Sequence, residues 1–418
     1  MSNPPPCGSS FDLIVIGGGT IGLSAAYYAS ARGLQTLLLE QFDQIADPLA
    51  SSGGYSRMFR VMYSPAYMAQ LAEVSLALWQ EIEVASGRTI LERQNLIFYG
   101  ASENTVEGNL GEMKTILADL GAPYEWYPTA QGLLQQYPVF NTMPADYVGL
   151  VQPNSAVIRT RESVAAFKQL ATNAGATLLT GQAAAVTSLS TEGPYQVSCP
   201  AGTYSAPRLV LCPSAWTNQV LLPFGIQLKL SIWQMTVAYY SAAVSQYQYP
   251  LWYEFGPPAG PSPALQQSFP HGLAAGASAA STSPQNLFYG FPPDEAPQMI
   301  KVSADFTNNI YSDPNQCTHL PDPEILAMMG SFLQQRFNLV QPAANNATTC
   351  LYTMSSDYQM ILDRLPGHPN VAIFSGDSGR GFKFTPLFGR ILADLAATGQ
   401  TWYDISAFSI TRPGVIAG

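Results

Sequence analysis

The sequence predicts an α/β (α+β) chain. Three observations carry this expectation. A strand, a glycine turn, a helix and a second strand follow one another within residues 11–40. Helical and strand-like stretches then alternate along the rest of the chain, and apolar residues fill 47% of its 418 positions. Alternation of this kind builds sheets covered by helices. The length allows about two to three domains and a core that hides roughly three quarters of the unfolded chain's surface.

Phe11-Asp-Leu-Ile-Val-Ile16 is a short apolar run, partly β-branched, as a strand buried on both faces requires. Gly17-Gly-Gly-Thr-Ile-Gly22 follows at once and leads into residues 23–32, where small and apolar side chains recur at helical spacing. Gly33 stands where a helix C-cap belongs. Residues 34–40 form a second apolar strand ending in an acid, so the stretch reads as a βαβ unit. In its turn a Cβ would block both the bend and the approach of a pyrophosphate. The N–H groups and dipole of the helix start favour phosphate there. Glu40 lies 18 residues beyond Gly22, placed to accept from ribose hydroxyls, and an acid there disfavours a 2′-phosphate. Gly17, Gly19, Gly22 and Glu40 are therefore candidates for binding a dinucleotide.

Residues 65–86 carry Met68, Leu71, Val74, Leu78, Trp79 and Ile82 at helical spacing, opened by Pro65 and followed by Gly87. Residues 164–173 read as a helix, and 176–180 and 208–212 as strands. Near the end, 371–374 reads as a strand, 376–381 as a glycine-rich turn and 386–397 as a helix closed by Gly399. Residues 256–283 are rich in Pro, Ala, Gly and Ser and nearly uncharged, which marks a long surface loop or insertion.

Charged residues make up 11% of the chain, against an average of about 25%. A net charge of −10 without a basic stripe argues against nucleic-acid partners. No apolar run reaches the ~18–20 residues of a membrane helix, and the first ten residues lack a signal peptide's basic and apolar regions. The expectation is a cytoplasmic protein without a membrane partner. Cys7, Cys199, Cys212, Cys317 and Cys350 are odd in number and lack CxxC pairing, which fits reduced thiols. Three histidines without metal-ligand spacing give no reason to expect a metal.

Gly376-Asp-Ser-Gly379 has the letters of the nucleophile turn of trypsin-like proteases. No suitably placed histidine or disulfide framework accompanies it, so a glycine turn feeding a helix is the better reading. There are only five lysines, of which Lys301 and Lys383 stand among apolar neighbours. Arg57 and Arg60 do likewise in Ser56-Arg-Met-Phe-Arg-Val. Such cations either serve a function or snorkel to the surface, and composition leaves both open.

Taken together, these segments resemble the monomeric sarcosine oxidase family of FAD-dependent amine oxidases, from Phe11 to about Pro413. The resemblance rests on the glycine fingerprint, residues 51–60, Thr348-Thr-Cys-Leu-Tyr352 and Ser378-Gly-Arg-Gly-Phe-Lys-Phe384 with the Pro386-Leu-Phe-Gly-Arg390 that follows. Tyr403-Asp-Ile-Ser-Ala-Phe-Ser409 fits as well. Tyr124-Glu-Trp126 and Thr105-Val-Glu-Gly108 favour the branch that oxidises piperideine carboxylate in nikkomycin synthesis, a route of secondary metabolism.

The resemblance implies a discontinuous Rossmann-type FAD-binding domain of residues 8–90, 150–228 and 345–412. It also implies a substrate domain of residues 91–149 and 229–344 on a mainly antiparallel sheet. Cys350 matches the cysteine that holds the flavin 8α-methyl carbon in a thioether. Lys301 matches a lysine over the flavin that helps O2 accept electrons, because a fixed ammonium stabilises the negative charge that forms. Arg60 and Lys383 match the pair gripping the substrate carboxylate, one as a planar fork and one as a point charge. Tyr289 matches an active-site tyrosine and Arg57 a flavin neighbour. Ser51, Gly379 and Phe382 fall in cofactor-binding segments. The implied reaction is oxidation of a C–N bond in a small amino or imino acid by a monomer. A hydride passes to flavin N5, and O2 returns as hydrogen peroxide.

Departures from the pattern shape the expected substrate. Asp305 follows Lys301 by four residues, where sarcosine oxidases carry histidine and the nikkomycin branch aspartate. Glu107 matches a glutamate of that branch. Two acids suit a ring nitrogen or its proton, so a cyclic secondary amine or cyclic imine carboxylate is expected. Alternatives are sarcosine or another N-methyl amino acid, and electron transfer to a carrier other than O2. Arg380 replaces the histidine or tryptophan beside the flavin, and Ser214 the glycine usual before Ala-Trp. Residues 256–283, just upstream of Tyr289, are expected to cover the site entrance or recognise a larger substrate.

Overall fold

The computed structural model describes residues 5–101, 109–189, 194–255, 287–294 and 296–417. Six strands form one sheet in the order Ile361–Leu365, His368–Ser375, Leu209–Leu211, Leu13–Ile16, Thr36–Leu39, Thr177–Leu179. All its pairs are parallel except the outermost, where Ile361–Leu365 runs antiparallel to His368–Ser375. Every residue of Leu13–Ile16 and Thr36–Leu39 is buried, as continuous apolar runs in a covered parallel sheet demand. Helix Thr20–Ala31 packs on Thr160–Asn173 and Thr385–Thr398, and helix Ala66–Ser86 packs on the same two.

A second sheet of ten strands supplies the other half of the molecule. Its main path runs Ile310–Tyr311, Leu230–Ala242, Met299–Ala304, Leu287–Phe291, Leu251–Phe255, Leu91–Gly100, Val148–Arg159, Ser56–Phe59. The long strand Val340–Ser355 pairs along Leu230–Ala242, and Glu125–Tyr127 along Val148–Arg159. Pairing is antiparallel throughout except between Leu251–Phe255 and Leu91–Gly100. Phe255 lies directly opposite Leu287 where two antiparallel strands meet. A smaller antiparallel sheet joins Ala185–Ser188, Tyr195–Cys199 and Gly202–Ala206. The α/β (α+β) expectation with a mainly antiparallel second sheet therefore matches the architecture.

Expected elements are present with shifted ends. The first helix begins at Thr20, inside the glycine turn, because the fingerprint itself forms the first helical turn. The second strand is Thr36–Leu39, and Glu40 closes it by donating its N–H to Leu179. Pro65 sits outside its helix as the N-cap, its carbonyl accepting from Met68 and Ala69. The expected strand at 371–374 extends to His368–Ser375 because the antiparallel neighbour lengthens the ladder. The helix expected at 164–173 starts four residues earlier, at Thr160. Glu107 and residues 256–283 lie outside the described residues. All five cysteines are free thiols, and no described helix is long and apolar enough to cross a membrane.

Candidate active site

A trough opens where the first strand ends. Gly22 sits so close to the Gly17 carbonyl that any Cβ would collide with it, which leaves the helix start bare. Glu40 accepts from the N–H of Gly18 at 2.5 Å and of Phe42 at 2.9 Å. Burial raises its pKa, and those N–H groups oppose the rise. Glu40 lines an outer cavity with Gly17, Phe42 and Trp216. That cavity shares Gly19, Ser51, Ser52, Cys212 and Ser214 with a middle one, which Gly22 also lines. The middle cavity in turn shares Phe382 with an inner one. Three adjoining spaces thus run from the acid to the large sheet.

Ser214 adopts the left-handed conformation (φ 50°) that a glycine reaches without strain. Its hydroxyl lies 2.9 Å from that of Ser51 and 3.3 Å from that of Thr353. The departure from glycine costs about 1–2 kcal/mol of backbone strain, offset in part by these contacts across the trough.

Every described candidate for the chemistry lines the inner cavity. These are the cations Arg57, Arg60, Lys301, Arg380 and Lys383, the acid Asp305, and Tyr289, Cys350, Gly379 and Phe382. Strand register explains the convergence. Lys301 lies opposite Phe291 and Ser303 opposite Tyr289, so these two take alternate positions on one face, and Asp305 follows directly after the strand's end at Ala304. Cys350 and Tyr352 alternate likewise in Val340–Ser355. Gly379 turns with φ 74°, and a Cβ there would lie 2.5 Å from the ring of Tyr352.

The Lys301 ammonium donates to the Ser56 carbonyl at 2.8 Å and to the Ser56 hydroxyl at 2.9 Å, and it stands 4.0 Å from the Phe291 ring centre. Burial, with the Arg57 charge adding to it, brings its pKa down to about 7. Arg57 donates to the carbonyls of Ser51, Gly53 and Ser56 and lies over the Phe382 ring, so it ties the 51–56 loop to the inner cavity. Burial pushes the Cys350 thiol up, while Arg57 and Lys301 pull it down.

The Arg60 guanidinium is buried over the rings of Tyr63 (4.4 Å) and Phe98 (5.1 Å). Lys383 is held through its main chain, whose carbonyl accepts from Ser75 at 2.7 Å and Trp79 at 2.9 Å, and its ammonium donates to the Arg380 carbonyl at 3.2 Å. Arg380 itself donates to the Tyr358 carbonyl. Ser378 donates to the Gly376 carbonyl and accepts from the Ser355 N–H, contacts that stabilise a turn.

Four residues of this neighbourhood escape the sequence reading. Tyr352 shares a hydroxyl–hydroxyl bond of 2.9 Å with Tyr289, and Tyr253 donates to Asp305 at 2.6 Å. Ser56 and Trp79 hold Lys301 and Lys383. Tyr352 was within reach of sequence, since it stands two residues after Cys350 and a strand repeats its face every second residue. Burial raises the pKa of both Tyr289 and Tyr352, with Asp305 adding to the first and Tyr289 to the second.

The chain resembles known proteins along nearly its whole length. The chain is 29% identical over 408 residues to human peroxisomal sarcosine oxidase, covering 96% of each chain. It is 27% identical over 411 residues to monomeric sarcosine oxidase of Bacillus sp. (strain B-0618), covering 97% of each. Its fold matches the open form of NikD, an unusual amino acid oxidase essential for nikkomycin biosynthesis, with a TM-score of 0.81 and 27% identity. That match covers 96% of this chain and 97% of NikD. A family model described as FAD dependent oxidoreductase (DAO) matches residues 12–395, so this chain belongs to the DAO family of FAD-dependent oxidoreductases.

Proposed function

We propose that the protein is an FAD-dependent oxidase of a C–N bond in an amino or imino acid, with a cyclic secondary amine or cyclic imine carboxylate as the favoured substrate. The observation that carries the reading is the placement of Arg60, Lys383, Lys301 and Cys350 on one cavity that adjoins a dinucleotide trough. The residues fit FAD. A cradle that a Cβ would fill lies at Gly22, Glu40 suits ribose hydroxyls, and Cys350 lines the cavity at the trough's inner end. Bound there, FAD supplies the two-electron chemistry that oxidises the substrate and passes the electrons to O2 as hydrogen peroxide.

Arg60 and Lys383 bind the substrate carboxylate and hold its C–H bond toward the cofactor. Such positioning contributes on the order of 7–11 kcal/mol in well-oriented systems. Asp305, on the wall of the same cavity, is proposed to pair with the substrate nitrogen. Lys301 stabilises negative charge developing on dioxygen. Cys350 is the proposed attachment point for the flavin. Residues 8–90, 150–228 and 345–412 are proposed to carry the cofactor, and 91–149 and 229–344 the substrate. The chain is proposed to act as a cytoplasmic monomer. Human and Bacillus relatives are named sarcosine oxidases, so oxidation of sarcosine or another N-methyl amino acid is the second reading.

Two measurements test the proposal. Acid precipitation should leave the yellow pigment in the pellet of wild-type protein and in the supernatant of Cys350→Ala. Proline, pipecolate and N-methyl amino acids should be screened for peroxide release. Pigment that washes out of the wild type refutes the covalent link, and flavin that none of these acids bleaches refutes the oxidase.

A further inference from the structure

We propose that Tyr253 is a positioning residue that selects substrates with a cationic nitrogen, through its hydrogen bond to Asp305. The inference rests on the oxidase reading above and extends it to the substrate's charge state. Tyr253 belongs to strand Leu251–Phe255 and lies directly opposite Tyr289 in the neighbouring strand. The two rings are stacked, 5.7 Å apart and 9° from parallel. Phe98 and Phe255 also pack on the Tyr253 ring, at 5.5 and 4.7 Å. A ring confined by three aromatic neighbours keeps its hydroxyl in place, and that hydroxyl donates to Asp305 Oδ2 at 2.6 Å.

The cavity's charge pattern gives this bond its meaning. Among the described residues lining the inner cavity, Asp305 is the one carboxylate, set against the five cations Arg57, Arg60, Lys301, Arg380 and Lys383. An acid whose carboxylate is held by these cations brings a nitrogen whose natural anionic counterpart is Asp305. A carboxylate has about four acceptor sites. The bond from Tyr253 occupies one of these and fixes the orientation of the carboxylate on the cavity wall. The tyrosine duties are divided, since the Tyr289 hydroxyl pairs with Tyr352. The favoured ligand is thus a zwitterionic or iminium ring acid, and a ring acid without nitrogen makes no use of the Tyr253–Asp305 pair.

Two ring acids of similar shape test this: pipecolate, with a protonated ring nitrogen, and cyclohexanecarboxylate, with none. Binding to the holoprotein is followed by the change in flavin absorbance. Tyr253→Phe keeps the aromatic ring and should weaken pipecolate roughly 10- to 100-fold, the worth of a hydrogen bond to a charged group. Cyclohexanecarboxylate should shift less than about threefold, within the scatter of a near-neutral substitution. Asp305→Asn should show the same selectivity, and adding Tyr253→Phe to it should change little further. Equal weakening of both acids, no weakening of either, or fully additive effects of the two substitutions would overturn the inference. Wild-type protein that binds neither acid would overturn the oxidase reading itself, and this extension with it.

Discussion

The indole N–H of Trp79 donates to the main-chain carbonyl of Lys383 over 2.9 Å, joining the middle of a long helix to the turn that carries a cavity cation. Ser75, one helical turn earlier, donates to the same carbonyl. Trp79→Phe removes one of these tethers and keeps the aromatic contact with Phe167. Unfolding free energy should fall by about 1–2 kcal/mol, read as a lower Tm. KM for the acid substrate should rise as Lys383 loosens, while flavin content stays constant. A variant with wild-type Tm and KM would show the bond to be incidental.

Lys301 should make both stability and oxygen reactivity depend on pH. In the fold it loses its proton at about pH 7, whereas in the unfolded chain it keeps the proton to about 10.4. Between these values the unfolded state binds more protons, so stability rises with pH, by up to about 1.4 kcal/mol per unit from this residue. Below pH 7 the cost of the buried ammonium is fully present. Denaturant titrations from pH 6.5 to 9 should show this slope in the wild type and lose it in Lys301→Met.

The same titration should govern the second half-reaction. Reoxidation by O2 should slow as pH rises through about 7 in the wild type and be slow and flat in Lys301→Met. Anaerobic flavin reduction should change far less. Stopped-flow traces in which both half-reactions slow equally would remove Lys301 from its assigned role.

Arg60→Met should raise KM by about 100-fold, the worth of a charge-assisted pair near 3 kcal/mol. Arg60→Lys should recover only part of this, because an ammonium lacks the planar fork that lies over Tyr63 and Phe98. Unchanged kinetics in Arg60→Met would mean that the carboxylate binds elsewhere.

Gly22→Ala should abolish cofactor retention, since the added methyl group meets the Gly17 carbonyl and forces the helix start away from the strand. Absorbance at the flavin band relative to protein is the readout. Normal flavin content in this variant would place the cofactor outside the trough.

The sequence made the nucleotide half of the site legible, because a glycine turn between an apolar strand and a helix leaves few other conformations. Cys350, Lys301, Arg60 and Lys383 were legible through the family resemblance and not through spacing alone, and the structure gathers them on one cavity. Their partners were not. Ser56 reaches Lys301 across 245 positions and Trp79 reaches Lys383 across 304. The first pair joins two strands of the same large sheet and the second joins a helix to the turn packed against it, and no local spacing encodes either. Tyr253 stayed hidden for another reason. Its strand is fully buried, so Leu-Trp-Tyr-Glu-Phe lacks the apolar–polar alternation that would reveal which side chains face the cavity.

Phe255 and Leu287 act as two fixed posts, and the stretch between them is tethered at both ends to one hairpin. Ring-closure entropy grows only logarithmically, by about 0.6 kcal/mol for each doubling of length. Lineages can therefore lengthen or rewrite that stretch cheaply, while Tyr253 and Tyr289, two residues inward from either post, keep their stations. A change in the length of that stretch therefore leaves in place the cavity wall that Tyr253 and Tyr289 form.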